Sequence, residues 1–304
     1  LTLIRDGEEI EKDVVRRRVE SPTVNSEMFD NGIAYIQITE FDTVTVDQFA
    51  DALAVARGSG MKGLILDLRS NPGGNLSAVV DIARMLLPEG LIVYTEDRDG
   101  NRVEYTCDGK HELEVPMVVL VNGNSASASE ILAGAIKDYG TGTLLGTTTF
   151  GKGIVQRPVE LSDGSAVKLT VSSYFTPNGV NIHGIGIEPD EVCEFDGERY
   201  YSDEKYDNQK ERAKELLEKL ANLIDQKIAA AMNQIMNAVN NAISESLSEF
   251  VNSTISSTIH NTVRDIIFDF LKEEDPGFLY WNGEKIEVVG SETCDEESGG
   301  EENA

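Results

Sequence analysis

From Ile33 onward, short and almost wholly apolar runs alternate with stretches of helical periodicity, and this alternation constrains the fold more than any other feature. IAYIQI (33–38) precedes a helical pattern from about Thr45 to Arg57, and GLILDL (63–68) precedes one near Leu76 to Leu87. PMVVLV (116–121) precedes a third from about Ser127 to Lys137, and TLLGTTTF (143–150) follows. A strand apolar on both faces must be covered on both faces, and helices placed between successive strands supply that cover. The pattern therefore predicts a βαβ-built, largely parallel α/β core. From Ile154 to Val192, strand signals are broken at Pro158, Asp163-Gly164 and Pro177-Asn178-Gly179, so antiparallel ribbons should complete it.

Either side of this core the pattern changes. Asp6-Gly7 is a hairpin signal within LTLIRDGEEIEKDVVRRRV, which predicts two short strands too small to fold alone. After about Tyr206, apolar residues recur every three or four positions from Leu216 to Leu271, a long amphipathic helical segment. Such a segment either covers the core or forms a dimer contact. Trp281-Asn282-Gly283-Glu284 signals a last hairpin, and SETCDEESGGEENA is expected to be a solvated, disordered acidic tail. The expected division is 1–25, a core at 26–205, a helical extension at 206–275, a hairpin at 276–290 and the tail at 291–304.

Charge narrows the partners. With 26 basic against 54 acidic residues, the net charge of -28 repels phosphate backbones and anionic lipid headgroups, so nucleic acid and membrane-surface partners are disfavoured. No apolar run reaches the roughly 18 residues of a membrane span. Cys107, Cys193 and Cys294 are odd in number and widely spaced, fit neither CxxC nor zinc-ligand spacing, and predict no disulfide framework. The three histidines, His111, His183 and His260, each stand alone, which leaves few candidates for a histidine base.

Three segments carry chemistry. VVLVNGNSASASEILAGAIKD (118–138) reads as strand, small-residue turn and helix, with three serines at a helix N-terminus where backbone N–H groups are free. On this segment alone, Ser127 or Ser129 could simply cap the helix. In GTTTFGKGIVQ (146–156), Lys152 sits between glycines in a β-branched stretch. Withdrawn from water, a lysine loses solvation of its ammonium form, and its amine becomes a base for a hydroxyl nucleophile; Gln156 could orient it. Gly146 to Lys152 also fits the phosphate-loop pattern G-x-x-x-x-G-K. However, Gly153 replaces the required Ser/Thr, and Ile154-Val155 reads as strand where a helix is needed. In LILDLRSNPGGNLSAVVDIARML (64–86), the Gly73-Gly74 turn could bind an oxyanion or merely satisfy a positive φ, and Asp67 with Arg69 reads as a structural ion pair.

DLRSNPGG (67–74), VNGNSASASEILAGAIKD (121–138), TTFGKGIVQ (148–156) and YFTPNGVNIHGIGIEPD (174–190), in this order, resemble the signature blocks of the carboxyl-terminal processing (tail-specific) serine peptidases. The resemblance spans roughly residues 1 to 220 and implies a mixed-sheet core of the ClpP/crotonase-like type with a C-terminal α-helical extension. It makes Ser127 the nucleophile, Lys152 the general base, Gln156 its orienting partner, and the Gly73 and Ala128 N–H groups the oxyanion hole. It further implies cleavage of proteins near C-terminal tails through an acyl-enzyme, with no cofactor and no metal, in an extracytoplasmic setting (cell envelope, periplasmic or secreted). In relatives, terminal helices contribute to dimers, so a homo-oligomer through the C-terminal helices is expected, and residues 1–25 look like the last strands of a PDZ domain. Thr147 departs from the family, which often has an acid there, and most of the PDZ domain is missing. Two alternatives stay open: a non-catalytic protein-binding scaffold on this fold, and a crotonase-like acyl-thioester enzyme.

Overall fold

The computed structural model describes residues 1–16, 21–202 and 205–244, with 262, 265–266, 279–281 and 284–286. In chain order its elements begin with β1 (Thr2–Arg5), β2 (Glu8–Glu11), β3 (Val24–Met28), β4 (Ile33–Ile38), α1 (Thr43–Gly58), β5 (Gly63–Asp67) and α2 (Leu76–Ala83). The middle of the chain forms β6 (Glu89–Asp97), β7 (Arg102–Asp108), β8 (Met117–Val121), α3 (Ala128–Tyr139), β9 (Thr143–Gly146), β10 (Ile154–Glu160) and β11 (Ala166–Phe175). Then come β12 (Glu191–Val192), α4 (Gly197–Tyr201), α5 (Asn208–Ser244), β13 (Leu279–Trp281) and β14 (Glu284–Ile286).

The apolar runs form a six-stranded sheet in the order β12-β9-β8-β5-β4-β3, parallel except for the edge strand β3. Every residue of β5, β8 and β9 is buried, the two-faced burial their composition requires. One face packs on α1, α2 and α3 through Phe49, Leu53, Val79, Ile82, Leu132 and Ile136. The other is closed by the start of α5, where Ala213, Leu216, Leu217 and Leu220 meet Ile33, Ile65, Val118 and Leu145. Over this part the long helix covers the core. Its predicted continuation through Leu247, Val251, Ile255, Ile259, Val263, Phe270 and Leu271 lies outside the described residues, as does the acidic tail.

A second sheet, antiparallel in the order β10-β11-β6-β7, stands beside the first. Its β6–β7 hairpin has no counterpart in the apolar-run pattern, because it turns through Asp97 to Asn101 on a carboxylate that accepts the N–H groups of Asp99 and Asn101. The N-terminal hairpin β1–β2 and the last hairpin β13–β14 are both present as antiparallel pairs. Cys107 is a buried free thiol, whereas Cys193 is disulfide-bonded, a bridge the odd count and spacing did not lead us to expect.

Candidate active site

The three serines of SASAS diverge in role. Ser125 and Ser129 are fully buried, and their hydroxyls donate to the carbonyls of Leu68 at 2.7 Å and Asn71 at 2.9 Å. Ser127 sits between them, half-buried, with φ 57 and ψ -112 at the junction of the β8 turn and α3. A non-glycine residue held there carries strain of about 1–3 kcal/mol, which persists only when its surroundings over-determine it. Its hydroxyl does not cap the helix: the Glu130 N–H goes to the Ser127 carbonyl at 2.9 Å, and no hydrogen bond to Ser127 Oγ is found among the described residues. The sharp turn therefore leaves one hydroxyl uncommitted, in a cleft of about 180 Å³.

Glu130 holds this turn. It is fully buried and accepts four hydrogen bonds: Oε2 from Ser127 N–H and Lys152 N–H, each at 2.8 Å, and Oε1 from Gly151 N–H at 2.7 Å and the Thr149 hydroxyl at 2.6 Å. A carboxylate offers about four lone-pair sites, so this one is saturated. Tyr174, from β11, completes the frame, its phenol donating to the carbonyls of both Ser127 and Lys152. Burial, and then the negative charge of Glu130, raise the Tyr174 pKa well above the ordinary phenol value, so the hydroxyl stays a donor.

Neither residue figured among the expected site residues. Glu130 had a signal, since Ser127-x-x-Glu130 is the S-x-x-E capping-box spacing. Tyr174 lies 47 positions from Ser127, and no local pattern joins them.

The structure brings Ser127, Ala128, Lys152 and Gln156 to the same cleft, with Gly74, Leu76, Ile131, Ile154, Val155 and Tyr174. Lys152 is half-buried, and among the described residues its amine has neither an ion pair nor a hydrogen bond. It lies in the loop that leads directly into a strand, Ile154–Glu160, and not into the helix a phosphate loop demands. The flanking glycine is required: a Cβ on Gly153 would lie 2.7 Å from His183 N. Gln156 is exposed and its amide is directed to Thr170 Oγ1 at 3.4 Å, with no bond to Lys152.

Of the two N–H groups expected to be oxyanion donors, one is already engaged. Ala128 N–H, the first of α3, has no protein acceptor among the described residues, but Gly73 N–H donates to Asn71 Oδ1 at 2.8 Å. Asn71 is a buried clasp whose amide reaches the Ile38 carbonyl at 2.8 Å and whose carbonyl receives Ala126 N–H and the Ser129 hydroxyl. Gly73 is pressed against the Ser127 turn, since a Cβ on it would stand 2.7 Å from both Ala126 O and Ser127 Cβ.

Asp67 and Arg69 form the expected ion pair at 2.6 Å, and Arg69 extends it to Asp207 at 2.8 Å and to Gln209 Oε1 at 2.9 Å. This network ties the strand end that leads into the glycine turn to the start of α5.

The chain is similar to known processing proteases. A carboxyl-terminal-processing protease of Synechocystis sp. is 42% identical over 200 residues, which is 64% of this chain and 47% of that protein. The carboxy-terminal processing protease CtpA of Bacillus subtilis is 40% identical over 187 residues, 61% of this chain and 40% of that protein. Among solved structures, the photosystem II D1 C-terminal processing protease is 38% identical with a TM-score of 0.54, over 59% of this chain and 50% of that one. The chain thus spans half or less of the length of these relatives. The model for peptidase family S41 matches residues 32–193, the stretch that holds the glycine turn, the Ser127 turn and the Lys152 loop, and the chain belongs to that family.

Proposed function

We propose that the protein is a serine endopeptidase that cleaves protein substrates near their C-terminal tails, with Ser127 as nucleophile and Lys152 as general base. One observation carries this reading: the only hydroxyl of the SASAS turn left uncommitted opens, on a strained backbone, into the cleft that also holds an unpaired lysine. In the proposed reaction the neutral Lys152 amine takes the Ser127 hydroxyl proton as Oγ attacks the scissile carbonyl carbon. The tetrahedral intermediate collapses, its C–N bond breaks, and the Lys152 ammonium returns that proton to the departing amine. Water, deprotonated by the same amine, then hydrolyses the acyl-enzyme and regenerates Ser127.

The developing oxyanion would be held by Ala128 N–H with an amide of the Gly73-Gly74 turn. Gly73 N–H has to exchange Asn71 Oδ1 for the oxyanion, whereas Gly74 N–H has no protein acceptor among the described residues. Gln156 keeps its proposed role in orienting the Lys152 amine by rotating away from a weak contact with Thr170. Specificity for C-terminal tails is inferred from the names of the relatives, and an extracytoplasmic site of action is inferred from family resemblance. Residues 1–25 are proposed to be closing strands of a PDZ domain, and assembly through the C-terminal helices is part of the same proposal. No helix among the described residues is long and apolar enough to cross a membrane.

The test is direct. Ser127→Ala and Lys152→Ala should each lower peptide hydrolysis by at least about a thousandfold while circular dichroism shows an unchanged fold. A fluorophosphonate should label the parent protein at Ser127. Turnover in either variant comparable to the parent refutes the assignment.

A further inference from the structure

Lys168 lines the same cleft as Ser127 and Lys152, from β11 opposite Pro158. Several cations elsewhere find carboxylates, among them Lys137 with Asp190, Lys210 with Glu27 and Lys214 with Glu211. Lys168 has no such partner among the described residues, and its side chain is exposed. The cleft lining contains two lysines and no acid, in a chain where acidic residues outnumber basic ones by 54 to 26. A lining free of acids, with only the buried and fully hydrogen-bonded Glu130 behind the Ser127 turn, is a local departure from a net charge of -28. Charges beyond about 10 Å are largely screened at physiological salt, so the nearby ammonium outweighs the distant excess of acids for any anion that enters.

We infer that Lys168 is a specificity-determining residue of this cleft, whose ammonium binds a carboxylate of the substrate close to the scissile bond. The inference rests on the peptidase reading. The apolar wall of Leu76, Ile131, Ile154 and Val155 receives the side chain at the cleaved bond. Lys168 lies six positions before Tyr174, whose phenol touches the Ser127 carbonyl. That is about 20 Å of strand, and the reach of both long side chains shortens it to two to four residues of extended peptide, roughly 3.3 Å each. The carboxylate there is either the free end of the substrate chain or an Asp or Glu side chain.

Matched peptides separate the two sources: one pair ends in a free carboxylate or an amide, and a second carries Asp or Asn two to four residues from the cleaved bond. The readout is the ratio of kcat/KM between the members of each pair, in which a general loss of activity cancels. The parent protein should prefer the carboxylate in one pair by about fivefold, the size of a partly solvated ion pair, and added salt should erode that preference. Lys168→Ala should abolish it, Lys168→Arg should retain it, and Lys168→Glu should reverse it. Equal ratios in the parent, or a preference that survives in Lys168→Ala, overturn the role of Lys168 and leave the peptidase reading standing. If the parent cleaves none of the peptides and Ser127 resists the fluorophosphonate, the peptidase reading falls and this inference falls with it.

Discussion

The backbone N–H groups of Ser127 and Lys152 donate to one and the same oxygen, Glu130 Oε2, each at 2.8 Å. Ser127 and Lys152 are separated by 25 positions in the chain, yet their main chains hang from a single buried carboxylate. Their relative position is therefore a property of Glu130 and the groups around it, more than of either loop alone.

Glu130→Gln tests this. An amide has one accepting oxygen, so its NH2 must face either the N–H groups of Ser127 and Lys152 or that of Gly151. At least one buried donor is then orphaned, at about 1–3 kcal/mol. We expect a stability loss of that size in chemical denaturation and a fall in kcat of roughly a hundredfold, since small displacements of reacting groups are costly. A Gln variant with parental stability and turnover would show that the carboxylate positions nothing.

Tyr174→Phe keeps the ring in its buried place and deletes the two phenolic bonds to the Ser127 and Lys152 carbonyls. The expected cost in stability is about 1 kcal/mol. The kinetic effect should fall on kcat, by about tenfold, with KM little changed, because the phenol orients the main chains of Ser127 and Lys152, the proposed nucleophile and base. A change confined to KM would instead assign Tyr174 to substrate contact.

Gly73→Ala places a methyl group 2.7 Å from both the Ala126 carbonyl and Ser127 Cβ, at a residue whose φ is 101. Both neighbours are anchored, Ala126 by its N–H to the Asn71 carbonyl and Ser127 by Glu130. The turn must move, and we expect a loss of about 2 kcal/mol or more together with loss of fluorophosphonate labelling. Labelling at the parental rate would show that the glycine turn and the Ser127 turn are independent.

The strands that frame the site were legible because each is buried on both faces, which leaves the unmixed apolar signature of GLILD and MVVLV. Ser127 and Lys152 drew attention through the small residues around them, required where loops approach within contact distance. The rest was hidden for physical reasons. An acid in the first turn of a helix reads as a complement to its dipole, so Glu130 looked ordinary until its four donors were seen. The covering role of α5 was one of two equal readings, because an amphipathic face does not say whether its own sheet or a second chain buries it. Gly73 was read as a free donor because sequence does not reveal that Asn71, two residues earlier, folds its side chain back onto it.

The tie between α5 and the glycine turn is titratable. Burial pushes the Asp207 carboxyl up, but the hydrogen bonds and charge of Arg69 push it down further, and it lies below the ordinary carboxylate range. Its folded-state pKa is thus lower than its unfolded one, and ionised Asp207 stabilises the protein at all pH values above the unfolded value, about 3.9. That contribution is lost as pH falls through the lowered folded value. Asp207→Asn should therefore cost about 1–2 kcal/mol in urea unfolding near neutral pH, and the gap from the parent should close below about pH 4. Because Arg69 also carries the strand end that leads to Asn71 and Gly73, kcat should fall in the same variant. A gap that stays constant as the medium is acidified would mean that Arg69 draws its hold on α5 from Gln209, which does not titrate, and not from Asp207.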